Sequence, residues 1–163
     1  MKKIWKDDVV EYNGEFYKIP KAIINPKPSQ KPHPKILLGG FSPKTFERMV
    51  KHGDGYLGAL AGPFEYFHNS IKMFNDSIEK SSRARKDFDL TILTYPHLIK
   101  SSNREMNSDH FPMTGETIDE IGSDLSILKN SGIDRVILAL NAENGYGVNE
   151  TIEFVKELRK FCS

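Results

Sequence analysis

Cysteine is nearly absent from this chain. The single thiol, Cys162, stands next to the last residue, so an intrachain disulfide is impossible and a sulfur-based zinc cluster is excluded. No local signature marks it as a catalytic thiol, and it reads as a bystander. The five histidines include no pair at metal-ligand spacing, so no metal site is expected. No apolar run is long enough to span a bilayer, and Met1-Lys2-Lys3-Ile4-Trp5 leads into Lys6-Asp7-Asp8, which cannot serve as the apolar core of a signal peptide. A cytoplasmic protein without a membrane partner is expected. Charge of one sign is also missing. The net charge is +1, with no long block of like charge and no basic stripe carrying aromatics, so nucleic acid is not an expected partner.

What remains is an ordinary soluble composition, 38% hydrophobic and 28% charged over 163 residues, enough for one domain spanning 1–163 with a core of its own. The most informative stretch is Ile36-Leu37-Leu38-Gly39-Gly40-Phe41-Ser42-Pro43-Lys44. An uninterrupted apolar run predicts a strand buried on both faces, as in a parallel sheet, and the paired glycines stop it. Ser42-Pro43 then predicts a helix start, with Ser as N-cap and Pro at the first helical position. Strand, glycine turn and helix N-terminus together aim free amides and the positive end of a helix dipole at one point, where a phosphate would sit. On these nine residues alone the simpler reading is a bare turn whose glycines only supply positive φ.

Taken in order, residues 1–8 offer no N-cap and no periodic apolar face. Val9–Tyr12 and Glu15–Ile19 flank Asn13-Gly14, a strong β-hairpin signal. Pro20 to Pro34 is a proline-rich strap that forbids helix and delivers the chain into the strand at Ile36. Pro43–His52 predicts a helix with Phe46, Met49 and Val50 inward and Gly53 as a left-handed stop. Asp54–Leu60 follows as a small-residue strand. A long helix after Gly62-Pro63 carries Phe64, Phe67, Ile71, Phe74 and Ile78, a spacing that a core-facing stripe explains better than flavin stacking does. Leu90–Tyr95 is the next strand, ended by Pro96, and 99–116 reads as a loop, either a binding loop or plain disorder. Thr117–Asn130 predicts a helix burying Ile118, Ile121, Leu125 and Leu128, stopped by Ser131-Gly132. Ile133–Leu140 predicts a strand, and a last helix capped by Asn149 turns Ile152, Val155 and Leu158 to the core. From Ile36 onward the order is strand, helix, four times over, which implies parallel strands and an α/β fold.

Gly14-Glu15-Phe16-Tyr17, Pro26-Lys27-Pro28, Gln30-Lys31-Pro32-His33-Pro34, Ile36–Pro43, Arg48 and Gly53-Asp54-Gly55-Tyr56, in this order and spacing, resemble the second half of the luciferase-like monooxygenase family, most closely its deazaflavin-dependent branch. The likeness is densest over residues 9–60 and weaker from there to Gly132-Ile133-Asp134-Arg135-Val136 and the C-terminus. Members of that family are (β/α)8 barrels commonly about twice this length. The resemblance implies a partial TIM barrel of about four (β/α) units, preceded by the hairpin and the strap. It implies an oxidoreductase whose cofactor, coenzyme F420 or alternatively FMN, has its phosphate held by the amides of Gly39, Gly40 and Phe41 and by the Ser42 hydroxyl. Asp54-Gly55-Tyr56 matches the family's Asp-Gly-Trp in a structural role, with Tyr a departure. Lys35 stands where a second Pro is usual.

On this alignment Met1 falls about halfway along the family, so the first four strands and most contacts to the reactive ring and the substrate have no counterpart in the sequence. A homo-oligomer or a separately encoded first half-barrel would then complete the site for a small-molecule substrate. A non-catalytic remnant that binds cofactor or protein is the alternative. No catalytic residue can be named. His97, just past the end of the third strand, is the best histidine for a substrate contact. His33 and His52 read as surface or strap residues and His68 as packed or solvent-facing. Asp7-Asp8 read as a solvated face and Asp119-Glu120 as helix-dipole partners. Lys100 and Arg104 in the long loop are candidates for a cofactor's anionic tail by charge and position alone.

Overall fold

From Leu37 onward each apolar run forms a strand and each amphipathic stretch a helix. The computed structural model describes residues 1–60, 62–98, 113–115, 117–140 and 148–161, in two units, Met1–Ile36 and Leu37–Ser163.

The first unit holds helix α1 (Lys2–Lys6) and the antiparallel strands β1 (Val10–Asn13) and β2 (Lys18–Ala22). Residues 2–6 are helical despite lacking a cap. Lys27 of the strap donates from Nζ to the carbonyls of Ile4 at 3.0 Å and Asp7 at 2.6 Å, a cation at the helix C-terminus. The hairpin forms, but not around Asn13-Gly14. Neither residue has the positive φ of a two-residue turn, Asn13 pairs with Lys18, and residues 14–17 make the loop. Phe16 and Tyr17 thus leave the strand and are 83% and 77% exposed. Pro20 lies within β2, and the register shifts beside it, between the Val10↔Ala22 and Tyr12↔Ile19 pairs. A bulge is where a residue without an N–H fits a ladder.

In the second unit, β3 (Leu37–Leu38), β4 (Gly55–Ala59), β5 (Asp89–Thr94) and β8 (Arg135–Leu138) form one sheet in the order β3-β4-β5-β8, every pair parallel. Helices α2 (Pro43–His52), α3 (Phe64–Glu79) and α4 (Ile118–Asn130) connect successive strands of this sheet, and α5 (Val148–Leu158) follows β8. A two-residue pair, β6 (His97–Leu98) with β7 (Thr114–Gly115), lies in the β5–α4 connection. Contrary to the expectation for Ile36–Leu38, Leu37 and Leu38 are only half-buried, because β3 is an edge of the sheet.

The core is one cluster. Phe46 and Met49 of α2, Phe67, Phe74 and Ile78 of α3, and Ile121, Leu125 and Leu128 of α4 pack with Tyr56, Leu90 and Ile92 of the sheet. The helical stripes read from the sequence are therefore the buried ones, except in α5. There Leu158 is buried as expected, but its partner is Phe154, while Ile152 and Val155 are 47% and 37% exposed. The i, i+4 pair containing the largest side chain sets the phase. α5 already begins at Val148, so Asn149 is inside it. Gly53 ends α2 in extended conformation, φ −95°, rather than left-handed, whereas Gly132, in the expected stop after α4, has φ +80°. Thr117 and Glu120 exchange side-chain-to-backbone hydrogen bonds across the first turn of α4, a complete capping box.

Two arginines fasten the N-terminal ends of the strands. Arg83 donates to the carbonyl of Gly53 at 2.7 Å and lies 4.1 Å over the Phe88 ring. Arg85 donates to the carbonyls of Phe88 and Gly132, at 2.6 and 3.0 Å, and pairs with Asp134 at 2.9 Å. Asp134 also accepts the Leu90 N–H at 2.8 Å. Thr91 and Thr94, by contrast, bury hydroxyls without a hydrogen-bond partner among the described residues.

Two outcomes follow from these contacts. Arg85→Ala should lower unfolding free energy by about 1–3 kcal/mol, since two carbonyls and a carboxylate lose their donor at a partly exposed site, while exposed Arg135→Ala changes it by less than about 0.5 kcal/mol. Thr91→Val, which swaps an unpaired hydroxyl for a methyl group, should be neutral or stabilise by up to about 1 kcal/mol. Urea midpoints at constant m-value read both.

Candidate functional site

The C-terminal ends of parallel strands share one side of the sheet, and ligands of open and closed α/β folds collect there. β3 ends in Gly39-Gly40, and Ser42 is the N-cap of α2 with Pro43 at the first helical position. Gly40 has φ +127°, a region L side chains avoid, and a Cβ placed on it would lie 2.7 Å from Thr45 Oγ1. A Cβ on Gly39 would lie 3.1 Å from the Leu57 carbonyl oxygen, a backbone atom of the neighbouring strand. Gly40 is thus held to glycine by conformation, while a side chain at Gly39 would need the neighbouring strand to give by a few tenths of an ångström.

Ser42 does not cap α2 with its side chain. Its hydroxyl instead lies 3.2 Å from Thr45 Oγ1, and Thr45 N–H donates to the Ser42 carbonyl at 2.9 Å. The N–H groups of Phe41, Ser42 and Lys44 donate to no acceptor among the described residues. Phe41, Ser42 and Lys44 are exposed, so these donors and the Lys44 cation face solvent at the positive end of a ten-residue helix.

The turn is held from below. Tyr56, 1% exposed, donates its hydroxyl to the Gly40 carbonyl at 3.0 Å, with its ring centroid 4.8 Å from Phe46 and 6.4 Å from Phe74. Burial pushes the phenol above its ordinary value, offset in part by the Ser70 hydroxyl. Tyr56 is a link that the local pattern Asp54-Gly55-Tyr56 did not disclose, because its partner is sixteen residues away.

The other candidate positions are more scattered. His97 lies three residues past β5, at the same end of the sheet, and its backbone pairs with Thr114. Lys100, Arg104 and the rest of 99–112 lie outside the described residues, as do Asn141–Gly147 and Cys162. His68 is exposed and stacks on Phe64 at 5.8 Å. His33 sits 5.9 Å from Trp5, with Nδ1 2.8 Å from the Pro34 carbonyl. Sequence reasoning missed Asp124. It is fully buried on α4 and accepts the Met113 N–H at 2.7 Å, pinning a residue of positive φ just before β7. Among the described residues no cluster of His, Cys, Asp or Glu could hold a metal ion, and no helix is long and apolar enough to cross a membrane.

Residues 1–117 match the sequence pattern of the luciferase-like monooxygenases. The chain belongs to that family. Over 53 residues this family member is 40% identical to the oxygenase component of a flavin-dependent trigonelline monooxygenase from Acinetobacter baylyi, a match covering 32% of this chain and 14% of that protein. Over 56 residues it is 36% identical to an FMNH2-dependent dimethylsulfone monooxygenase from Pseudomonas putida, covering 34% and 15%. Among solved structures it superposes on an F420-dependent secondary alcohol dehydrogenase with TM-score 0.68 at 15% identity, over 97% of this chain and 58% of that one. A coenzyme F420-dependent tetrahydromethanopterin reductase from Methanopyrus kandleri gives TM-score 0.65 at 12% identity, over 96% and 58%. At such identities the likeness is one of fold, that of a partial TIM barrel. This luciferase-like chain spans little more than half the length of those structures.

Tyr56 generates a pH prediction. Its folded-state pKa is raised, so its contribution to stability is whole below the unfolded value of about 10 and is lost as pH rises through the folded value. Thermal midpoints of the wild type should fall more steeply above pH ~10 than those of Tyr56→Phe. That variant should also loosen the glycine turn, costing about 1 kcal/mol at neutral pH for the lost hydrogen bond to Gly40.

Proposed function

We propose that this chain is the cofactor-phosphate half of a luciferase-like oxidoreductase, binding coenzyme F420 or alternatively FMN through the turn Gly39-Gly40-Phe41-Ser42. The observation that carries this reading is a set of exposed amides with no acceptor among the described residues, at a helix N-terminus, in a turn where Gly40 is required by conformation and Gly39 lies close against the neighbouring strand. An anion of phosphate size satisfies donors that have no acceptor among the described residues. The Ser42 hydroxyl, now turned to Thr45, can rotate to add another donor. Lys44 lends charge at the same end.

When bound, such a cofactor supplies hydride transfer to or from a small-molecule substrate, or in the flavin case oxygen activation, while the protein contributes position and electrostatics. This chain's own residues anchor the phosphate and fix the turn through Tyr56. His97, at the correct end of the sheet, is a candidate substrate contact. The described sheet has four parallel strands and a closed barrel eight, so we assign completion of the ring-binding site to a second copy or a separately encoded half-barrel. The non-catalytic alternative, a cofactor-binding or interaction module, shares the phosphate site and differs in turnover.

Titration of the purified protein with FMN, coenzyme F420 and inorganic phosphate tests the reading, with solution mass measured alongside. Cofactor binding is expected, phosphate should compete with it, and Gly40→Ala should weaken it by about tenfold or more. A colourless monomer indifferent to both cofactors, or unchanged affinity in Gly40→Ala, removes the proposal.

A further inference from the structure

Helix α3 presents two stripes. Phe64, Phe67, Phe74 and Ile78 enter the core. Tyr66, Asn69, Ser70 and Met73, spaced three and four apart, run along a second line and line a cleft of about 390 Å³. Phe41 and the end of β4, Ala59-Leu60, also line it. The cleft therefore lies at the C-terminal end of the sheet, directly after the glycine turn in the chain, and wholly within the second unit.

Its size and chemistry narrow what it can hold. The volume falls within the range of about 300–1,000 Å³ of small-molecule sites, and is well over twice the roughly 150 Å³ of a cavity that accepts one benzene ring. Among the described residues no charged side chain lines it. A carboxylate or ammonium group would be desolvated against Leu60, Phe67 and Met73 with no counter-charge among the described residues of the lining. The Ser70 hydroxyl is already used, donating to the Tyr66 carbonyl at 3.0 Å. The Asn69 amide has no hydrogen-bond partner among the described residues, so it has both a donor and an acceptor to offer, and the Tyr66 phenol is the lining's other group of that kind. Phe41 and Tyr66 leave 56% and 67% of their surfaces in water, apolar area that a ligand would cover.

We propose that this cleft binds an uncharged, mainly apolar small molecule about the bulk of two fused rings, with one hydroxyl or carbonyl group meeting the Asn69 amide. The binding stands by itself. Identifying that molecule's class as the substrate class rests on the function proposed above.

The test uses naphthalenemethanol and naphthoate, matched in shape and differing in charge, titrated into the full chain by fluorescence. The alcohol should bind at least about tenfold more tightly than the carboxylate. Met73→Trp, which fills the cleft, should weaken alcohol binding by about tenfold or more, and Asn69→Leu, at an exposed position with no partner to lose among the described residues, by several-fold. Equal affinity for the two probes overturns the proposal, as does wild-type alcohol affinity in both variants. FMN titrated into the same proteins separates the two readings. If the alcohol binds and FMN does not, the cofactor proposal falls and the cleft stands; if FMN binds and the alcohol does not, the cleft proposal falls.

Discussion

One hydrogen bond ties the interior of this protein to its exposed glycine turn. The Tyr56 hydroxyl reaches out of a nest of Phe46 and Phe74 to the Gly40 carbonyl, 3.0 Å away. A buried phenol needs a partner, and the turn needs a fixed point, since glycine alone would leave its backbone free. Each requirement is met by the other. The amides that follow Gly40 consequently face solvent in a defined direction without any side chain spent on them, and core packing becomes the means of orienting a polar site.

Gly55, the residue before that tyrosine, shows how closely the strands are drawn together. A Cβ on it would run into the backbone of Asp89 on β5 and the side chain of Leu37 on β3. The motif Asp54-Gly55-Tyr56 is therefore two constraints side by side. The glycine lets three strands meet, and the tyrosine carries that rigidity on to the turn.

The alternation of four strands with four helices was legible because each element announces itself locally, through apolar runs, capping residues and stripes such as Ile121, Leu125 and Leu128. The failures are where two local signals compete or where the decisive partner is remote. Asn13-Gly14 is a strong turn signal, but Asn13 stays in the ladder opposite Lys18, and the loop is 14–17. In α5 both Ile152/Val155 and Phe154/Leu158 are helically spaced, and only packing chose the second pair. Ile36–Leu38 looked doubly buried because an apolar run does not say whether its strand is central or at an edge. In the candidate site, Gly39, Gly40 and Ser42 could be read from type and order. The Tyr56 hydrogen bond, the Asp124 contact with Met113 and an Asn69 without a partner among the described residues could not, since each depends on distances across the fold.

The paired guanidinium groups of Arg83 and Arg85 have a consequence for how such a scaffold can change. They grip backbone carbonyls, which every residue possesses, on segments leading into β4, β5 and β8. Apart from Phe88 beneath the Arg83 guanidinium and Asp134 opposite Arg85, side chains on those segments can be exchanged without releasing the grip. The foundation of the sheet is thereby insulated from mutation at its rim, and the rim is free to be rewritten for new ligands while the frame beneath keeps its shape.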